Sequence, residues 1–134
     1  MDSIYIELVV SAVQNGQEVW MQGDVEILIN GSKPYNEGDI VDFEILYKSL
    51  TNEGDFFIFS CNCGFPECGG WIKGINVKHQ TDNTIWTDMD NERKWTFDKA
   101  KIELDIKELK KEVLFYKDYF LKKGIDYVGV GYNW

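Results

Sequence analysis

A chain of 134 residues, 44% hydrophobic and 15% aromatic, suffices for one packed domain and carries too many bulky apolar side chains for disorder. Its formal net charge of −9 and pI near 4.5 oppose phosphate backbones and anionic lipid, so neither a nucleic-acid nor a membrane partner is expected. No apolar run approaches the roughly 18–20 residues of a membrane span, and MDSIYIELVV lacks a basic export region, which reads as cytoplasmic.

The first two-thirds alternate with period two. Ile4, Ile6, Leu8 and Val10 share one strand face, and Asn15-Gly16 is a strong hairpin dipeptide. The next run sets Val19, Met21, Val25, Ile27 and Ile29 on one face, with Glu18, Gln22, Asp24 and Glu26 opposite. After a loop through Pro34 and Gly38, Val41, Phe43, Ile45 and Tyr47 predict a third strand with Asp42, Glu44 and Lys48 outward. The run Phe56 to Phe59 follows, then a strand from about Trp71 to His79, with shorter runs at 84–87 and 94–97. The pattern predicts an antiparallel, mostly meander sheet of about five to seven strands.

The period then changes. Ile102, Ile106, Leu109, Val113, Tyr116 and Phe120 step by four, three, four, three and four, which draws one apolar stripe along a long C-terminal helix packed on the sheet. Asp98 is its expected N-cap and Gly124 its C′ glycine. The stripe also has coiled-coil spacing, so the chain reads as a monomer or a weak dimer. In the aromatic tail, Tyr127, Val128 and Val130 could add an edge strand, or Tyr132 and Trp134 could plug a groove. The whole reads as one α+β domain over 1–134: a β-rich acidic part (1–97), the helix (98–123) and the tail (124–134).

Acidity is uneven. Residues 1–97 hold 6 Lys+Arg against 16 Asp+Glu, a net of −10, whereas 98–134 hold 8 against 7, a net of +1. A basic partner would be steered to the first part at a rate that falls with salt.

All three cysteines fall in FSCNCGFPECGGW. Cys61 and Cys63, two apart on a strand, point one way. A four-residue loop at 64–67 would set Cys63 opposite Cys68, with a bulge at Gly69-Gly70, so that three sulfurs share one face. The common explanation is a buried thiol cluster supporting a tight hairpin. The alternative is metal, with Cys61, Cys63 and Cys68 as the candidate ligands. Structural zinc wants four, and the lone His79 lies 11 residues past Cys68, about 36 Å along an extended strand. The same separation argues against a Cys–His catalytic dyad. No cofactor is called for, with zinc as the exception to test.

Asp88, Asp90 and Glu92 imitate the start of a calcium loop, but Arg93 and Lys99 occupy the positions that need Gly and Glu, so an acidic turn between short strands is the better reading. Phosphate-loop, dinucleotide, serine-nucleophile and metalloprotease motifs are absent from the sequence.

FSCNCGFPECGGWIKG, VKHQTDNTIWT and WTFDK together resemble a loose group of small bacterial proteins with a C-x-C-G-x₃-C hairpin and a downstream H-x-x-D-x-x-x-W stretch. Cys61, Cys63, Gly64 and Cys68 fit the first motif, and His79, Asp82 and Trp86 the second, over roughly 59–99. Some of that group look like immunity proteins. The acidic sheet region, the small size and the absent catalytic motifs lead to the expectation of a non-enzymatic domain that neutralises a basic toxin, with Asp24, Glu26, Asp42 and Glu44 on polar strand faces as candidate contacts. A zinc- or thiol-based module and a small carboxylate-dependent enzyme are the alternatives.

Overall fold

The computed structural model describes residues 1–134. In chain order it contains β1 (Ile4–Asn15), β2 (Glu18–Ile29), β3 (Asp39–Val41), α1 (Phe43–Ser49), β4 (Gly54–Phe56) and β5 (Phe59–Cys61). A 3-10 turn (Pro66–Gly69), β6 (Ile75–His79), β7 (Asn83–Asp88), β8 (Arg93–Asp98), α2 (Lys99–Lys122) and β9 (Tyr127–Val130) follow. The nine strands form three mostly antiparallel sheets, in the orders β1-β2-β9, β3-β5 and β4-β6-β7-β8, with the long helix packed on them. Only β6-β7-β8 is a true meander, and β9 joins β2 in parallel, through Met21 to Asp24.

The β1–β2 ribbon turns where Asn15-Gly16 predicts, in the register Asn15 opposite Glu18. Ile4, Ile6, Val25, Ile27 and Ile29 are buried on its inner face, whereas Val19 near the tip is 57% exposed, because the ribbon outruns the core. Against that face lies α2. Asp98 caps it by accepting from the Ala100 N–H at 3.0 Å, and Gly124 follows its end at φ +70°. Ile102, Ile106, Leu109 and Val113 are buried, each contributing about 1.5–3 kcal/mol by removal from water. The stripe weakens outward: Tyr116 and Phe120 are half-buried, and Phe120 stacks on Tyr127 at 6.3 Å.

The strand expected over 41–47 is a correction. Residues 43–49 are helical because Asp42 caps them, its Oδ1 accepting from the Ile45 N–H at 3.2 Å, with Glu44 in the first turn and Lys48 in the last. Phe43, Leu46 and Ser49 are the buried positions, a spacing of three that alternation at 41, 43, 45 and 47 had concealed. Two other boundaries move. The run 56–59 divides between β4 and β5, which belong to different sheets, and Trp71–Gly74 is a loop before β6.

Both expectations for the tail are realised. β9 is the edge strand, and beyond it Tyr132 is buried, donating to the Gly23 carbonyl at 3.0 Å. Trp134 meets Phe43 edge-on at 4.6 Å. Gly23 suits this place, since a Cβ there would press on the Tyr127 and Tyr132 hydroxyls and force them to shift.

Candidate functional site

Two neighbouring features make one corner of the molecule, an acid-lined recess and the three thiols. They are joined by the β3–β5 pair, in which Asp39 lies opposite Cys61. In β5, Phe59 and Ser60 are buried, while Cys61 emerges half-buried at its end. The chain then reverses. Gly64 N–H donates to the Cys61 carbonyl (3.0 Å), Cys68 N–H to Phe65 (3.2 Å), Gly70 N–H to Glu67 (3.1 Å) and Trp71 N–H to Pro66 (3.1 Å). Gly70, at φ +86°, ends the 3-10 turn in the left-handed region that glycine enters without a Cβ penalty.

The expected hairpin is therefore a backbone-bonded turn with a 3-10 segment in place of the glycine bulge, yet it delivers the expected clustering. The Sγ atoms of Cys61, Cys63 and Cys68 all lie within 4.8 Å of one another. The expected burial is absent: Cys63 and Cys68 are exposed, and no disulfide joins any pair. A hydrogen bond from the Phe65 backbone, aided by those of Cys61 and Cys68, holds the Cys63 thiol below its ordinary range. The Cys68 thiol is pushed up to about 11, first by its hydrogen bond with Cys63 and next by desolvation.

Trp71 fixes the corner from below. Its ring packs on Phe59 at 5.2 Å, and its indole N–H donates to Asp39 Oδ2 at 3.1 Å. Asp39 also accepts from the Asn36 N–H (3.2 Å), and the Asn36 amide donates to the Gly69 carbonyl (3.3 Å), tying the acidic loop to the cysteine turn.

Asp24 and Glu26 of β2 meet Glu37 and Asp39 around a recess of about 120 Å³, floored in part by Tyr35. Lys33 is the one cation on its wall, and it is engaged: its Nζ bonds Glu26 at 2.7 Å, a contact that raises the ammonium pKa. Burial raises the Tyr35 phenol, whose oxygen accepts from the Ile27 N–H at 3.2 Å.

Of the four carboxylates expected to form a partner face, the structure brings together Asp24 and Glu26. Asp42 is spent on capping α1, and Glu44 sits in its first turn, so neither stands on a strand face. Glu37 and Asp39 also line the recess, and sequence reading passed over both: Glu37 lies in the turn before β3, and Asp39 opens that three-residue strand. Their signal was the acid pair flanking Gly38 before a strand.

His79 is committed elsewhere. Its Nε2 lies 2.8 Å from the Ser49 carbonyl and 3.2 Å from that of Asn52. Neither a metal set nor a catalytic dyad joins it to the cysteines. A larger recess of about 450 Å³, between β1 and α2, is lined by Glu7, Lys101, Asp105 and Glu108 among others. Asp105 there accepts from the Ile6 N–H (3.0 Å) and from Lys101, which clamps helix to strand and leaves it little freedom to serve a ligand.

No protein-family model, curated protein or solved structure matches the chain.

Proposed function

We propose that this is a non-catalytic protein-binding domain whose acidic corner captures a basic partner, in the manner of an immunity protein or antitoxin. The observation that carries the reading is the convergence of Asp24, Glu26, Glu37 and Asp39 on one recess: Glu26 is paired with its single lysine and Asp39 is held by Trp71 and Asn36, which leaves Asp24 and Glu37 to meet a cation. Such a recess fits a lysine or arginine side chain, and the net −10 of residues 1–97 would steer a cationic surface towards it. The resemblance of residues 59–99 to a loose group of small bacterial proteins, some of which look like immunity proteins, supports the same reading, as does a fold whose lone histidine is bonded to main-chain carbonyls.

The test begins with native mass spectrometry of the protein purified gently from its host, which would reveal a basic polypeptide bound to it. Association is then measured at several salt concentrations for the wild type, for D24N/E37Q, and for E103Q on the outer side of α2. The acid-corner variant should associate about tenfold more slowly at low salt, with the gap closing as salt rises, while E103Q should change little. A partner whose association ignores both salt and D24N/E37Q would contradict the reading.

A further inference from the structure

The cysteine turn carries an inference independent of the partner. We propose that Cys61, Cys63 and Cys68 bind one soft, thiophilic d¹⁰ metal ion through three thiolates, leaving an outward coordination position open.

Geometry is the first support. With a metal–sulfur distance of about 2.3 Å, three sulfurs around one ion stand about 3.8 Å apart in a tetrahedral site and about 4.0 Å apart in a trigonal one. The three Sγ atoms already lie within 4.8 Å of one another, so closure asks for about 1 Å at most. The main chain that carries them is pre-organised by the four backbone hydrogen bonds between 61 and 71 and by the Trp71–Asp39 anchor. Much of the ordering cost of assembling three ligands is thereby met during folding.

Exposure is the second. Free cysteine behaves as a small buried hydrophobe in most folds. Here every cysteine of the chain gathers at one turn, two of the three are open to solvent, and none fills the core. Their remaining polar contacts are weak: Cys61 Sγ to Asn62 Oδ1 at 3.7 Å and Cys63 Sγ to the Phe65 carbonyl at 3.9 Å. A cluster that served packing would be enclosed, and one that served as a covalent staple would be bonded.

Donor type sets the class of ion. The set holds sulfur alone, with no imidazole or carboxylate in the cluster. Asp39, the acid nearest in register, is held by Trp71 and Asn36. Thiolate donors exclude magnesium and calcium and favour copper(I) and zinc(II). A three-sulfur set suits copper(I) as it stands. Zinc would need a fourth donor on the open side, from water or a second molecule.

The experiment uses the full chain, reduced and stripped of metal, titrated anaerobically with copper(I), with zinc(II), and with cobalt(II) as a chromophoric stand-in for zinc. Wild type should take up one equivalent, and cobalt should show thiolate-to-metal charge transfer in the near ultraviolet. C63S should weaken uptake by about 100-fold or more, since even a lost outer-shell partner costs roughly 10–100-fold. C61S/C63S/C68S should bind nothing. Copper(I) held tighter than zinc, without added donor, assigns the trigonal site, and zinc uptake with tetrahedral cobalt bands assigns the four-coordinate one. Wild type that binds neither ion better than the triple variant overturns the proposal, as does an affinity unchanged by C63S. Circular dichroism of the variants confirms that they are folded when tested.

Discussion

The turn at 88–93 and the turn at 61–70 both concentrate groups that hold cations, and they treat those groups in opposite ways. In the first, Asp88 is fully buried and saturated. It accepts from the Asp90 and Asn91 N–H groups, from the Asn91 amide, and from Arg93 at 2.6 and 3.1 Å. Asp90 in turn receives the N–H groups of Ile72, Lys73 and Gly74 at about 3 Å. In the second, four backbone hydrogen bonds fix the turn and the side chains are left open. An ionisable group whose hydrogen bonds are all spent internally is part of the framework. One held in place by others but itself unspent is available to a ligand. The two turns also touch: Asp90 pins the segment that leaves Trp71, so the acidic turn steadies the exit of the cysteine turn.

That contrast can be broken most severely at Asp88. Asp88→Ala strands the Arg93 guanidinium, itself tied to the Pro34 carbonyl at 2.8 Å, and removes the Oδ1 that accepts two turn N–H groups. It should cost about 3 kcal/mol in urea unfolding, less than the full penalty of a broken buried pair because the Arg93 side chain is 40% exposed. A loss under 1 kcal/mol would mean the turn is not the framework it is taken to be. Asp90→Ala comes next. It orphans three N–H groups that solvent can partly satisfy, so about 1–2 kcal/mol is expected, together with faster amide exchange at Ile72 and Lys73. Exchange unchanged at those two amides would show that the pinning is not felt in solution.

Sequence and structure agree where the information is local and part company where it is not. The stripe from Ile102 to Val113, the Asp98 cap and the Asn15-Gly16 turn each depend on neighbours within a few residues, and each is observed. The parallel pairing of β9 with β2 joins residues more than 100 apart, which no periodicity encodes. α1 was hidden by a coincidence. Apolar residues at 41, 43, 45 and 47 satisfy period two, while the residues that are buried, Phe43, Leu46 and Ser49, follow the helical period with a capping aspartate in front. At the corner, the cysteine spacing was enough to foresee three sulfurs together. Their exposure was not legible, because it follows from a 3-10 turn that faces the trio outward. The acid recess was half legible: β2 alternation singled out Asp24 and Glu26, whereas Glu37 and Asp39 join them only because a turn and the short strand β3 fold back beside β2.

The central claim is that the cysteines are presented for a ligand and do not hold the fold together. Urea unfolding of metal-stripped, reduced C61S/C63S/C68S against wild type tests it most directly. The account predicts midpoints that differ by no more than about 0.5 kcal/mol in stability, the range of surface substitutions that touch no structural feature. A loss of about 2 kcal/mol or more without metal would contradict it and make the trio part of the core.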